Sequence, residues 1–295
     1  MTGCAGAPDA LATCINKYTD HEAHIWYSHH GKGGDLPPYY EQRTDFIHFH
    51  NMYKNTVKPS VIQYHSEPYL AWCEEECAGL SLFPPKQCKK LVVAQYHAGL
   101  EVYKDCTPVR NIIDFEAREY GPKIVKDRIR IGYSPSLSDA SGFGCWHYKG
   151  VKATKTVLVL LQKQFPGLEV DVITGVSGEE CIRRKRECNI IIDECVTPSY
   201  HKSGLEGLAL GKLTISWVDD KVKKILKKAS GSNINPFHGT HVGWLEDELA
   251  KICAKGIDYI LEEGRKGRQW MEKYWAPSDI VQEYVDIYEG VLNES

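Results

Sequence analysis

The sequence predicts an α/β protein of two domains facing each other across a cleft. Three observations predict it. Short apolar runs alternate with segments of helical period along most of the chain. A polar stretch with Gly-Pro, "FEAREYGPKIVKD", interrupts that alternation near residues 116–127, and after residue 240 the chain becomes helical. Strands alternating with helices of this length build parallel sheets covered on both faces. A length of 295 residues fits one large or two ordinary domains.

In the first part, "PDALATCINKYT" reads as a helix. "AHIWYSH", "DFIHFHN", "PSVIQYHSEP" and "KKLVVAQYH" read as strands, and "VRNIID" closes the set. In the second part, "RIRIGYSP" is a buried strand and "VKATKTVLVLLQKQF" a helix with its apolar positions at helical spacing. "LEVDVIT" is a strand. "SGEECIRRKREC" opens with Ser177 and has Glu180 three residues on, the capping-box pattern. "NIIID" is a strand, "SGLEGLALG" a helix ending at Gly211, and "LTISWV" a strand again. The remainder, "HVGWLEDELAKICAKGIDYILEEG", "RKGRQWMEKYW" and "PSDIVQEYVDIYEGVL", is helical. Parallel sheets bind ligands beyond the carboxyl ends of their strands, where helix N-termini aim free N–H groups. Residues 134–150, 175–179 and 194–206 belong to that edge.

Composition is that of a soluble globular protein, with 42% hydrophobic and 25% charged residues. A net charge of −3 gives no argument for nucleic acid. No apolar run approaches the roughly 18 residues of a membrane span. The N-terminus, "MTGCAGAPDALATC", lacks the charged-then-apolar plan of a signal peptide, so a cytoplasmic address is expected. Eleven cysteines, an odd count in a long chain, argue against a disulfide framework. Cys73 and Cys77 with Cys88 lack the second close pair of a structural zinc site. The lysines of "KVKKILKKAS" read as a solvated helix face, with at most peripheral attraction to a membrane or acidic glycan.

Glu206 sits two residues past Gly204, where a strand has ended and a helix begins. The free N–H groups of that helix start suit a diphosphate. A carboxylate is wrong for phosphate but right for a pair of sugar hydroxyls, which it accepts in bidentate fashion. Together they describe a nucleotide. Equally, Glu206 could merely complement the helix dipole, and spacing leaves both readings open. Lys149, at the head of the next helix after a Gly- and Ser-rich loop, is a point charge for phosphate or a solvated lysine. His65, at the carboxyl end of a first-domain strand, could position a hydroxyl or stabilise a transition state. His48 and His50 share one strand face, with no carboxylate nearby to complete a metal site, and "HGTH" at 238–241 reads as a loop and helix cap.

The order "IGYSPS", "YKG", "EVDVITG", "CNIIIDE", "SYHKSGLEGLALGK" and the closing "RQWMEKYWAPSDIVQEYVDIY" resembles the C-terminal half of retaining glycosyltransferases of the GT-B fold, group 1 or family 4. The first half is similar to the acceptor domain of the same enzymes. The resemblance implies two Rossmann-like domains: residues 1–118 on the acceptor side, with helix 278–292 crossing back onto them, and residues 119–277 binding the donor. It implies metal-independent transfer of a hexosyl group from a nucleotide-sugar to a glycan or other hydroxyl acceptor, with retention and no cofactor. Catalytic roles fall to His65, Lys149 and Glu206: the acid holds the donor ribose, the lysine meets the diphosphate and the histidine lies near the transferred sugar. Donor contacts are implied at Ser134, Ser136 and Gly175, at Glu194 and His201, and at Ser203, Gly204 and Leu205 of the helix start.

Three departures stand against the pattern. Pro198 occupies the place, eight before Glu206, of the family's first glutamate, with Glu194 close by in sequence. No arginine precedes Lys149 where the family has one, and the opening strand before the glycine loop is missing from the first domain. A catalytically weakened nucleotide- or sugar-binding protein and a GT-B-like epimerase are the alternatives these departures leave open.

Overall fold

The structure, a computed structural model, describes residues 6–26, 38–51, 53–65, 84–135 and 150–294. The chain forms two compact units, Met1–Ile112 with Pro277–Ser295, and Ile113–Ala276.

The first unit opens with helix α1 (Ala7–Tyr18), which carries proline in its first turn, where the missing N–H costs nothing, and Asp9 on the positive end of the dipole. Leu11, Cys14 and Ile15, spaced three and four apart, form its buried stripe. After a short helix, α2 (Pro38–Arg43), come four parallel strands: β1 (Ile47–His50), β2 (Ser60–Tyr64), β3 (Lys89–Val93) and β4 (Thr107–Val109). They lie in the order β1-β2-β3-β4, with Ile47 opposite Ser60, Val61 opposite Lys89 and Leu91 opposite Thr107. Phe49, Ile62, Tyr64, Val92 and Tyr103 form the core, with the Tyr64 and Tyr103 rings stacked 5.0 Å apart.

Two expectations fail here. No strand forms over the described part of "AHIWYSH": residues 21–26 have no regular structure, and the rest of that run lies outside the described residues. Asn16 gives the reason: its side chain takes the N–H of Ala23 (2.6 Å) and bonds its carbonyl (2.9 Å), the two groups a strand ladder needs. Of "VRNIID", expected to close the set of strands, only its first residue belongs to β4, which ends there. Beyond Val109 the chain is taken over by helix α9 (Pro277–Glu294). Arg110 makes a bidentate pair with Glu283, and the Tyr284 hydroxyl lies 3.1 Å from both the Arg110 carbonyl and Gln63 Oε1. α9 packs on α1 and β2, within the first unit.

The second unit is a doubly wound sheet. Strands β5 (Arg130–Tyr133), β6 (Glu169–Val172), β7 (Ile190–Ile192) and β8 (Leu213–Ile215) are all parallel, in the order β6-β5-β7-β8. The triple isoleucine of β7 is buried throughout, as expected for a strand covered on both faces. The helices between strands are α3 (Val151–Gln164), α4 (Gly178–Arg186) and α5 (Lys202–Ala209). Three more follow β8: α6 (Asp220–Ser230), α7 (Leu245–Ala254) and α8 (Ile257–Tyr274). α3 packs with α7, and α5 packs with α8 and β8. Leu158 and Leu161 of α3 meet Ile131, Ile190, Ile215, Leu249 and Ile252 in one core. Ser177 caps α4 by accepting the Glu180 N–H (3.2 Å), as the capping-box spacing requires. α5 stops at Gly211, whose φ of 69° lets the Gly211 and Lys212 N–H groups turn back onto the Leu208 and Gly207 carbonyls.

The chain leaves β5 toward β6 on one side, then returns past β5 to β7 on the other. β5 and β7 therefore flank the point where the strand order reverses. Open α/β sheets bind ligands beyond the carboxyl ends of the strands there.

Candidate functional site

Ser134 follows β5 directly, and Ser203 lies in the first turn of the helix after β7. Their hydroxyls are 3.0 Å apart, bridging the reversal point. Ser203 also accepts from Lys185 Nζ (2.9 Å), and the same ammonium reaches Glu206 Oε2 (2.6 Å). Lys202 Nζ is 4.0 Å from the other oxygen, Oε1. Lys185 is only 1% exposed. Burial disfavours its charge, yet the Glu206 carboxylate, with Cys181 and Asp193, outweighs burial and holds the ammonium above the usual lysine range. Tyr120, on the turn that packs against α4, stays protonated: burial first, then the charge of Glu206, pushes its hydroxyl up.

The segment leading to α5 is held from several sides. Glu194 is fully buried, and its Oε1 accepts the N–H groups of Val196 (2.7 Å) and Thr197 (3.0 Å). The Ser216 hydroxyl donates to the Ser199 carbonyl (2.6 Å), and Val242 N–H to that of Cys195 (2.6 Å). Tyr200 stacks on Phe237 at 5.3 Å and meets Trp275 edge-on, and Trp275 in turn stacks on Trp270. This aromatic buttress fixes where α5 begins.

Asp193, at the end of β7 and fully buried, accepts the His201 N–H (2.7 Å), and the His201 ring lies 3.6 Å from it. A Cβ on Gly204 would come within 2.7 Å of Asp193 Oδ2, so only glycine lets the helix approach that carboxylate. The protein's own acid thus faces the positive end of α5, where sequence reasoning placed only a diphosphate. Gly204→Ala is expected to lower stability by about 1–3 kcal/mol through overpacking. An unchanged thermal midpoint would show that Asp193 moves aside without cost.

The structure therefore gathers Ser134, His201, Ser203 and Glu206 at one edge and treats the other expected residues differently. Glu194 Oε1 is engaged by the backbone of its own loop. Leu205 is 0% exposed and contributes core rather than ligand surface. Gly175 sits in an open turn beyond β6, with φ 67° and nothing within 4 Å of where a Cβ would be. Ser136 and Lys149, like Cys73 and Cys77, lie outside the described residues; Gly150, next to Lys149, packs on Val196 at the same edge. The reading of "SGEECIRRKREC" for its capping box does not single out Lys185. The signal was its place three residues after Ile182, on the face that α4 buries.

In the first unit, His65 belongs to a chain of rings. His48 and His50 stack at 4.3 Å, as alternate residues of one strand face can. His50 Nδ1 is 2.9 Å from His65 Nε2, and the Tyr288 hydroxyl is 2.7 Å from His48 Nδ1. The His65 N–H donates to Asn51 Oδ1 (2.7 Å). Burial, followed by the neighbouring His50 and His65, keeps His48 well below the usual histidine range, and burial lowers His50 to about 4. Among the described residues no three His, Cys, Asp or Glu side chains are grouped to hold a metal ion, and no helix is long and apolar enough to cross a membrane.

No family profile matches this sequence, and no curated protein matches it. Solved structures do match. Sucrose-phosphate synthase from Thermosynechococcus elongatus aligns with a TM-score of 0.56 at 12% identity, over 88% of this chain and 77% of that one. Anabaena HepE, in its complex with UDP-glucose, aligns with a TM-score of 0.54 at 12% identity, over 97% of this chain and 96% of that one. TarM aligns at 0.50 and 9% identity over 78% of this chain, which spans only 54% of TarM's length. The fold is the α/β architecture of two Rossmann-like units found in GT-B glycosyltransferases.

Proposed function

We propose that this chain is a retaining, hexosyl-type glycosyltransferase whose second unit binds a nucleotide-sugar. The observation that carries the reading is the linked set Ser134, Ser203, Lys185 and Glu206 at the strand-order reversal of a doubly wound sheet. That is where such sheets take nucleotides, and HepE and TarM have been solved with UDP-glucose and UDP. Glu206 would accept ribose hydroxyl, while Lys202 and Lys149 supply positive charge and His201 a hydrogen-bonding ring for the diphosphate. Transfer forms a bond from the acceptor hydroxyl oxygen to the anomeric carbon as the bond from that carbon to the diphosphate oxygen breaks. Attack comes from the face the diphosphate leaves, and the departing phosphate oxygen takes the hydroxyl proton. Fixed donors aimed at that oxygen stabilise its growing charge, which is why the reading needs no metal or cofactor. The first unit is assigned the glycan or small hydroxyl acceptor, with His65 as its catalytic candidate.

A thermal-shift screen against UDP, GDP, ADP and dTDP tests the donor site, since a ligand bound only by the folded state raises the midpoint by mass action. One of the four is expected to do so, and Glu206→Ala to weaken it at least about tenfold through the lost charge-assisted bond. No shift with any of them would overturn the reading. Slow hydrolysis of the matching nucleotide-sugar, abolished in Lys149→Ala, is expected of an enzyme.

One observation favours a second reading, a nucleotide-sugar-binding protein with little turnover. Pro198 stands where an acid would face the sugar, and Glu194, the nearest replacement in sequence, is turned inward onto backbone. Tight nucleotide binding without hydrolysis or transfer would select it.

A further inference from the structure

Resting on that donor-site reading, the site contains an apparent contradiction: an acid and a diphosphate must share one end of a sheet. A bare carboxylate there would repel the phosphates and lose its value as a sugar ligand. Lys185 answers this. A lysine is costly to bury unless it is paired and hydrogen-bonded. Yet α4 turns this one inward, 1% exposed, while Arg183 on the same helix stays at the surface with Glu180. The buried ammonium is spent on two site residues, Glu206 Oε2 at 2.6 Å and Ser203 Oγ at 2.9 Å.

We propose that Lys185 is a positioning and selectivity residue of the donor site. It cancels the charge of Glu206 so that a diphosphate can lie beside the acid. Its bond to Oε2 leaves Oε1, with Lys202 4.0 Å away, as the oxygen more open to a sugar hydroxyl. Glu206 then grips the ribose through one oxygen rather than through the bidentate clasp its sequence position suggests. The Lys185 hydrogen bond also fixes the Ser203 hydroxyl toward Ser134, setting the start of α5 across the reversal point.

The measurement is the ratio of affinities for a nucleoside diphosphate and for its uncharged nucleoside, by titration calorimetry or ligand-observed NMR. The diphosphate used is whichever of UDP, GDP, ADP and dTDP stabilises the wild type. Wild type, Lys185→Met, Glu206→Gln and the double variant are compared. Removing one positive charge is expected to lower the ratio about tenfold in Lys185→Met, and removing the negative charge to raise it in Glu206→Gln. The double variant, neutral like the native pair, is expected to return to within about threefold of wild type. These shifts should shrink as salt is added. A merely structural lysine would weaken both ligands alike and leave the ratio unchanged, and that result overturns the proposal. Should Lys185→Met fail to fold, Glu206→Gln against the double variant carries the test, with equal ratios overturning it. A wild type that binds none of the four diphosphates overturns the donor-site reading and this proposal with it. Binding with an unmoved ratio overturns this proposal alone.

Discussion

Lys185→Met is expected to destabilise the second unit by about 3–5 kcal/mol, the usual consequence of removing one partner from a buried ion pair. The loss comes less from the missing attraction than from what stays behind. Glu206, its side chain 13% exposed, would keep a carboxylate with Lys202, at 4.0 Å from Oε1, as the cation paired with it among the described residues. The Ser203 hydroxyl would lose the donor it now receives from Nζ. Neutralising both ends should recover most of the loss. Lys185→Met combined with Glu206→Gln leaves neither member of the pair as an unpaired charge, and is expected to fall within about 1–2 kcal/mol of wild type, the cost of hydrogen bonds not remade. Urea midpoints of the four proteins read this directly. A single variant as stable as wild type would mean that Glu206 finds water or Lys202 without penalty, and that the pair is not a structural element.

Acidification is expected to weaken the first unit through its histidine chain. His50 is lowered to about 4 in the folded state, against about 6.5 in an unfolded chain. Between these values the unfolded chain binds the extra proton, so stability rises with pH across that window. The contribution is therefore fully present above about pH 6.5 and is lost as pH falls toward 4, reaching about 3 kcal/mol there. His48, also held well below the usual histidine range by burial, adds in the same direction. Because carboxylates protonate in the same range, the informative quantity is a difference between proteins. His50→Asn, which cannot titrate, should flatten the pH dependence of the urea midpoint between pH 6.5 and 4. Unchanged dependence would show that the ring already reaches water in the folded state.

The second unit was largely legible in the sequence because its signals are local. Alternating apolar runs specify buried parallel strands, Ser177 with Glu180 specifies a helix start, and Gly211 a helix end. The first unit was less so. Nothing in "AHIWYSH" announces that Asn16, seven residues before Ala23, takes the backbone groups a strand would use. Nor does "VRNIID" reveal that a helix some 170 residues later captures Arg110.

The candidate site divides in the same way. That Ser203, Gly204 and Glu206 stand at a helix start beyond a strand follows from sequence, because glycine placement and strand period are properties of neighbouring residues. The partners of those residues do not follow. Whether Glu206 is a bidentate sugar acid or half of an ion pair depends on Lys185, 21 positions away on another helix. Whether Glu194 replaces the acid missing at Pro198 depends on which way a buried side chain turns. Whether the start of α5 is an empty anion site depends on Asp193 lying beneath Gly204. The sequence by itself determined the two-part α/β architecture and the edge where chemistry gathers. Only the tertiary structure decided which charges there are already paired, since pairing is set by distances between elements that the chain brings together through packing.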